Sequence, residues 1–185
     1  MRIKSSDAQK NGIIAVANLM CIAARTAPKA RGIDNIVTII LTDKAISELS
    51  AKMVEIANTG YRTNTFLRDA ECVKKADAIV LIGTKISTIG LDCGFCGFES
   101  CKKLEDLKGV CVYNSGDLGI AIGSAVSIAA DNRVDNRIMF SAGYTAVKNK
   151  LIDKDVKIAF GIPLAASGKN IFLKTPCFNR FWNKF

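Results

Sequence analysis

Four of the seven cysteines in this chain lie within nineteen residues, as Cys93-Gly-Phe-Cys96-Gly-Phe-Glu-Ser-Cys101 and then, after nine more residues, Cys111. Thiolates are soft ligands, and four of them can hold a zinc ion or an iron–sulfur cluster. The spacing favours the cluster. Structural zinc usually takes two separate C-x2-C knuckles, whereas here one such pair is followed four residues later by a third cysteine. Gly94 and Gly97 let so short a loop curl and aim backbone N–H groups at sulfur. Cys93, Cys96, Cys101 and Cys111 are therefore the candidate ligands of an iron–sulfur cluster of the 4Fe–4S type, with a four-cysteine zinc site as the alternative. The bland reading makes these cysteines small buried side chains, but chance rarely gathers four of seven in one glycine-rich stretch. It is the reading kept for Cys21 and Cys72, which sit in helical stripes, and for Cys177 in the tail.

The chain has no histidine. That excludes Ser-His-Asp triads, Cys-His pairs, HExxH zinc sites and two-His-one-carboxylate iron, and leaves any reaction to Cys, Lys, Asp, Glu or a cofactor. Two basic loops could hold a cofactor phosphate through charge and backbone N–H: Arg25-Thr-Ala-Pro-Lys29-Ala-Arg31-Gly and Ala165-Ala-Ser-Gly-Lys169-Asn. Arg25, Lys29, Arg31 and Lys169 are the candidate contacts. The competing reading of each loop is a solvated turn that closes a helix end. A Walker A motif is absent, because Asn170 stands where Ser or Thr is required, and Gly116, Gly119 and Gly123 do not form G-x-G-x-x-G.

These loops must be carried by a fold, and 185 residues favour one compact domain over residues 1–185, with the cysteine segment at 91–111. A hydrophobic fraction of 49% and a mean hydropathy of +0.21 supply a core and argue against disorder. An odd, clustered set of cysteines fits a reducing cytoplasm better than a secreted disulfide scaffold. The apolar runs at 12–24 and 118–130 fall short of the ~20 residues that span a bilayer, so no membrane segment is expected. The excess of 26 Lys and Arg over 17 acidic residues gives +9, which attracts phosphorylated cofactors or nucleic acid. From Lys169 to Phe185 four cations and no acid alternate with Phe172, Phe178, Phe181, Trp182 and Phe185. Packing on the core or on a partner subunit is preferred there to nucleic-acid binding.

Ser6 and Gln9 make a capping box, and the apolar positions from Ile13 to Ala27 continue as a helix that Pro28 and Gly32 stop. Ile36–Leu41 reads as a central strand, with Thr42 capping the next helix, whose stripe is Ile46, Leu49, Met53 and Ile56. A third helix is expected from Phe66 to Lys75, a buried strand from Ala78 to Ile82 closed by Gly83, and helices over 117–130 and 134–148. Gly119, Gly123 and Ser127 recur every four residues and suggest a close buried contact. Val156–Ala165 reads as a strand bent at Gly161 and Pro163, and 170–173 as a short edge strand. The pattern is mixed α/β.

The segments AARTAPKARGIDNI (23–36), LDCGFCGFESC (91–101), GDLGIAIGSAVSIAAD (116–131) and AFGIPLAASGKNIF (159–172) resemble a bacterial and archaeal family of uncharacterised ferredoxin domain-containing proteins, related to the FMN-dependent nitroreductases. The cysteine segment also resembles the four-cysteine iron–sulfur modules of ferredoxins and corrinoid proteins. Ala27-Pro28-Lys29 matches the Ala-Pro-Ser loop at the nitroreductase flavin, with Lys29 in place of Ser and Asn35 displaced. The resemblance implies an α+β, nitroreductase-like three-layer arrangement, a central sheet flanked by helices with a Cys-rich loop inserted. It further implies FMN beside the cluster, a homodimer with flavin at the subunit interface, and a redox activity with a redox partner protein. The other-class alternative is a non-enzymatic zinc module with a basic interaction surface. The substrate is not legible.

Overall fold

A computed structural model describes residues 2–172. The order is α1 (Ser5–Thr26), a 3-10 turn (Ala30–Gly32), β1 (Ile36–Leu41), α2 (Asp43–Asn58), α3 (Thr63–Lys74), β2 (Ala78–Lys85), α4 (Cys101–Asp106), α5 (Val112–Asp131), β3 (Asp135–Asn136), α6 (Phe140–Lys148) and β4 (Val156–Ala165). The four strands form one antiparallel sheet in the order β1-β2-β4-β3.

Strand residues alternate between two faces, and both faces of β2 are buried. Ile79 and Leu81 join Leu49, Met53 and Phe66 under α2, α3 and α6. Ala78, Val80 and Ile82 join Met20, Leu118 and Ala125 under α1 and α5, which also pack on each other. The result is three layers, helices on both sides of the sheet. The α2 stripe predicted from its spacing is fully inside, and each such side chain contributes roughly 1.5–3 kcal/mol over the exposed state. One buried charge ties the outer layer together: Asp69 of α3 accepts from Arg68 Nε at 2.8 Å and from the Ser141 hydroxyl of α6.

Several sequence expectations are corrected. α1 begins without the Ser6 capping box; Lys4 is its N-cap and Ser6 bonds the neighbouring Asp7 carboxylate instead. Thr42 is the N-cap of α2, but its side chain does not bond a helix N–H. β2 does not stop at Gly83; it runs on to Lys85, because a bare Cα is what fits there, with Val156 Cγ1 2.5 Å from where a Cβ would stand. The helix expected from Val134 starts only at Phe140, since 135–136 pair with Ala165 and Leu164 at the sheet edge. Residues 170–172 form a turn rather than a strand: Asn170 Oδ1 accepts from Phe172 N–H and its amide donates to Asp135. Gly119 and Gly123 face open space in the chain, not a buried contact. Leu173, Cys177 and the aromatic tail beyond lie outside the described residues.

Candidate redox centre at one end of the sheet

The cysteine loop connects β2 to α5. It leaves the sheet at Lys85 and is anchored at its root, where Asn114 Oδ1, buried in α5, accepts from Ser87 N–H at 3.1 Å. Asp92 Oδ1 accepts from Cys101 N–H at 2.6 Å, and Asp92 N–H donates to Cys101 Sγ at 3.4 Å. Gly94 and Gly97 both take positive φ, the left-handed turns for which glycine was expected. Cys111 is 4% exposed and packs with Ile89 and Leu104; Cys96 and Phe98 lie against the same small cluster. Cys93 is exposed and Cys101 half-buried at the start of α4. The donor chemistry fits a soft metal: four thiols on one loop, with a backbone N–H already directed to sulfur. As the side chains stand, no three Cys, Asp or Glu groups converge on a metal-sized point among the described residues. Cys72 is buried and Cys21 half-buried away from this loop. Burial pushes the Cys21 thiol up, against the lowering by Thr38 and Arg25, which suits a packed thiol.

The first basic loop lies at the same end. Its three cations have protein partners. Arg25 pairs with Asp34 and donates to Ile36 O at 3.0 Å. Lys29 Nζ donates to Ala24 O and Arg25 O, two carbonyls in the last turn of α1, so the helix-closing reading describes it. Arg31 donates to Ile89 O at 2.8 Å and so braces the cysteine loop. Burial lowers the Lys29 pKa, with Arg25 acting in the same direction against Asp34 and Asp117.

Two further residues complete the site. Asp117, 8% exposed, accepts from Ala30 N–H through both oxygens, and the Tyr113 ring stacks on Phe95 of the cysteine loop at 6.4 Å between centroids. Pro28, Lys29, Phe95, Tyr113, Gly116 and Asp117 line a cleft of about 470 Å3. Asn114 and Asp117 escaped the sequence reading. Both sit on the buried stripe of α5 with Leu118, Ala121 and Ala125, and a polar side chain on an apolar stripe is the signal that could have found them.

Lys169 is elsewhere. It follows the end of β4 where Leu164 pairs with Ala78, while the Arg25–Arg31 loop precedes Ile36, which pairs with Thr84 at the other end. The strands set the two loops on the order of 20 Å apart within one chain.

The Arg25–Asp34 pair makes acid stability testable. Burial alone would raise the Asp34 carboxyl, but the Arg25 and Ile36 N–H bonds outweigh it and hold it below 3.8. A carboxyl depressed by folding contributes stability that is full above its unfolded pKa and lost as pH falls through the folded value. Arg25→Gln is therefore expected to flatten the loss of stability below the carboxylate range, as read by urea midpoints across acid pH; an unchanged acid slope would count against the pair.

The fold is that of the nitroreductase-like flavoproteins. Solved structures of that kind superpose over most of the chain: one described as an oxidoreductase containing FMN (TM-score 0.61, 14% identity, 90% of this chain and 73% of that one); nitroreductase CinD from Lactococcus lactis in complex with nicotinic acid (0.59, 15%, 91% and 86%); and a BluB-like flavoprotein from Clostridium difficile 630 (0.57, 17%, 95% and 85%). Residues 108–174 match the family described as "Uncharacterized protein containing a ferredoxin domain", and an uncharacterized protein of Archaeoglobus fulgidus is 41% identical over 179 residues, 92% of this chain and 95% of its own. The chain belongs to that ferredoxin-domain family. No helix among the described residues is long and apolar enough to cross a membrane.

Proposed function

We propose that the protein is a redox protein, an electron-transfer protein or oxidoreductase, in which Cys93, Cys96, Cys101 and Cys111 hold an iron–sulfur cluster of the 4Fe–4S type. One observation carries this reading: the cysteine loop and the cleft at Lys29 and Asp117 share a wall, where Phe95 stacks on Tyr113. A bound cluster would supply one-electron transfer. The chain supplies position: Arg31, Asn114 and Asp92 hold the loop that carries the thiols. The ferredoxin-domain family supports the cluster over a four-cysteine zinc module. Anaerobic purification tests it. Iron with acid-labile sulfide is expected; one tightly held zinc in a colourless protein would sink the proposal.

FMN is the proposed second cofactor, in keeping with the FMN in the structures this fold resembles. Lys169 and the Arg25–Arg31 loop occupy opposite ends of the sheet, so within one chain a single phosphate engages one loop or the other. The proposed homodimer rests on a different observation. Leu19, Ile22 and Ile120 are exposed on α1 and α5 beside the open Gly119 and Gly123, a face on which a second copy would bury apolar area. FMN is expected to bind more tightly than riboflavin, and Lys169→Ala to weaken FMN alone by roughly tenfold, the worth of one charge-assisted contact. Equal affinity for the two flavins, measured by equilibrium titration, would remove the phosphate contact. A reducing cytoplasm and a redox partner protein complete the proposal.

A further inference from the structure

The outer edge of β4 is only partly paired. β3 covers Leu164 and Ala165, Met139 bridges Gly161, and the chain then rises into α6 at Phe140. Among the described residues no strand continues along 157–160. Between that edge and α6 lies a cavity of about 530 Å3, within the range of small-molecule sites. Its walls are the rings of Phe140 and Tyr144 with Val147 of α6 and the strand edge at 157–160, where the Phe160 side chain itself packs on the opposite face of the sheet, and its charged groups are Lys148 and Lys157.

The walls are set before any ligand arrives. Tyr144 stacks on Tyr61 at 5.3 Å, and Phe140 stands edge-on to Phe66 at 6.0 Å. A preformed aromatic recess spends little conformational entropy on binding. Both charges are positive. No carboxylate lines the recess, neither lysine makes an ion pair with a described residue, and Lys148 Nζ lies 5.9 Å over the Tyr144 ring. An edge-strand lysine also discourages strand addition. That role accounts for Lys157 but not for Lys148 or for the two rings that α6 presents beside it.

We propose that this cavity binds a planar aromatic molecule carrying one anionic group, an aromatic carboxylate, with its ring against Phe140 and Tyr144 and its anion facing Lys148 and Lys157. The site is separate from the cleft at Lys29 and Asp117 and shares no residue with it. A second copy of this chain would set its own lysines against these two. The segment 173–185 would bring Lys174, Arg180 and Lys184 with no acidic side chain to answer them. Charge complementarity selects the small anion.

The test is isothermal titration of the full chain with 2-naphthoate and with its uncharged isostere 2-naphthamide. Naphthoate is expected to bind one per chain and the amide about tenfold more weakly, the difference a charge-assisted contact makes. Lys148→Gln and Lys157→Gln are each expected to weaken naphthoate about three- to fivefold and leave the amide unchanged. Both lysines are exposed, so these variants keep the fold. Absence of binding, equal affinity for the two probes, or unchanged naphthoate affinity in both variants overturns the proposal. So does displacement of naphthoate by FMN, which gives the recess to the flavin. Binding only to a chain ending at Phe172 likewise overturns it, and assigns the recess to the tail.

Discussion

Cys96→Ala and Cys111→Ala are each expected to reduce iron and acid-labile sulfide in anaerobically purified protein from near stoichiometric to background, while Cys21→Ala retains both. Removing one of four thiolates takes away a bond to the cluster itself, and changes even to groups behind a ligand cost about 10–100-fold in affinity. Alanine is the right replacement at Cys111. That side chain is buried with Ile89 and Leu104, where a serine hydroxyl without a partner would add a folding cost of about 1–3 kcal/mol. The circular dichroism of each variant separates loss of ligand from loss of fold. Full cluster content in Cys111→Ala would leave three cysteines as the protein ligands and return Cys111 to the apolar core. Full content in Cys96→Ala would remove the loop from the proposal altogether.

Gly143→Ala is expected to cost at least about 3 kcal/mol, at the upper end of overpacking, and to lower the melting temperature by roughly 6–12 °C in a domain of this size. α6 lies directly on β4 at this point. A Cβ on Gly143 would stand 1.9 Å from the Ala159 carbonyl oxygen and 2.2 Å from its carbon, and strand backbone paired to β2 cannot move aside as a side chain could. Gly161, its counterpart on the strand, would meet Ala142 Cβ at 2.6 Å. Gly12→Ala is the contrast. It is an exposed position inside α1 with nothing within 4 Å, so alanine is expected to stabilise by up to about 1 kcal/mol through helix propensity. Urea midpoints at constant m-value measure both. A near-neutral Gly143→Ala would mean that α6 can lift from the sheet without cost.

Period and composition carried much of the fold. The β-branched run at Ile36–Leu41 and the run at Val156–Ala165 are strands, as their residue types indicate, but Ile36–Leu41 is the edge strand among the described residues, half-buried through its middle, and β2 takes the central place expected for it. The α2 stripe is equally legible, since burial at a 3.6-residue period depends only on the segment itself. The glycine-assisted turns of the cysteine loop are also local, and the structure gives both glycines positive φ. Boundaries set by partners were less legible. Residues 135–136 became a strand because Ala165 and Leu164 offer them an edge, and β2 ran past Gly83 because β1 and β4 both extend beyond it.

The candidate site divides in the same way. The cysteines and the basic loops could be named from residue type and spacing, and so could the opposing readings of each loop. What those charges do was decided in three dimensions: Lys29 closes α1, Arg25 meets Asp34, Arg31 braces the cysteine loop through Ile89 O, and Lys169 lies at the far end of the sheet. Asp117 and Ala30 are 87 residues apart in sequence yet share two hydrogen bonds. The chemistry available, four clustered thiols and no imidazole, and most of the elements that present it were legible along the chain, because side-chain type and local periodicity are local properties. Which of those groups meet was set by the fold, because the antiparallel crossing of β1, β2 and β4 sends each loop to one end of the sheet or the other.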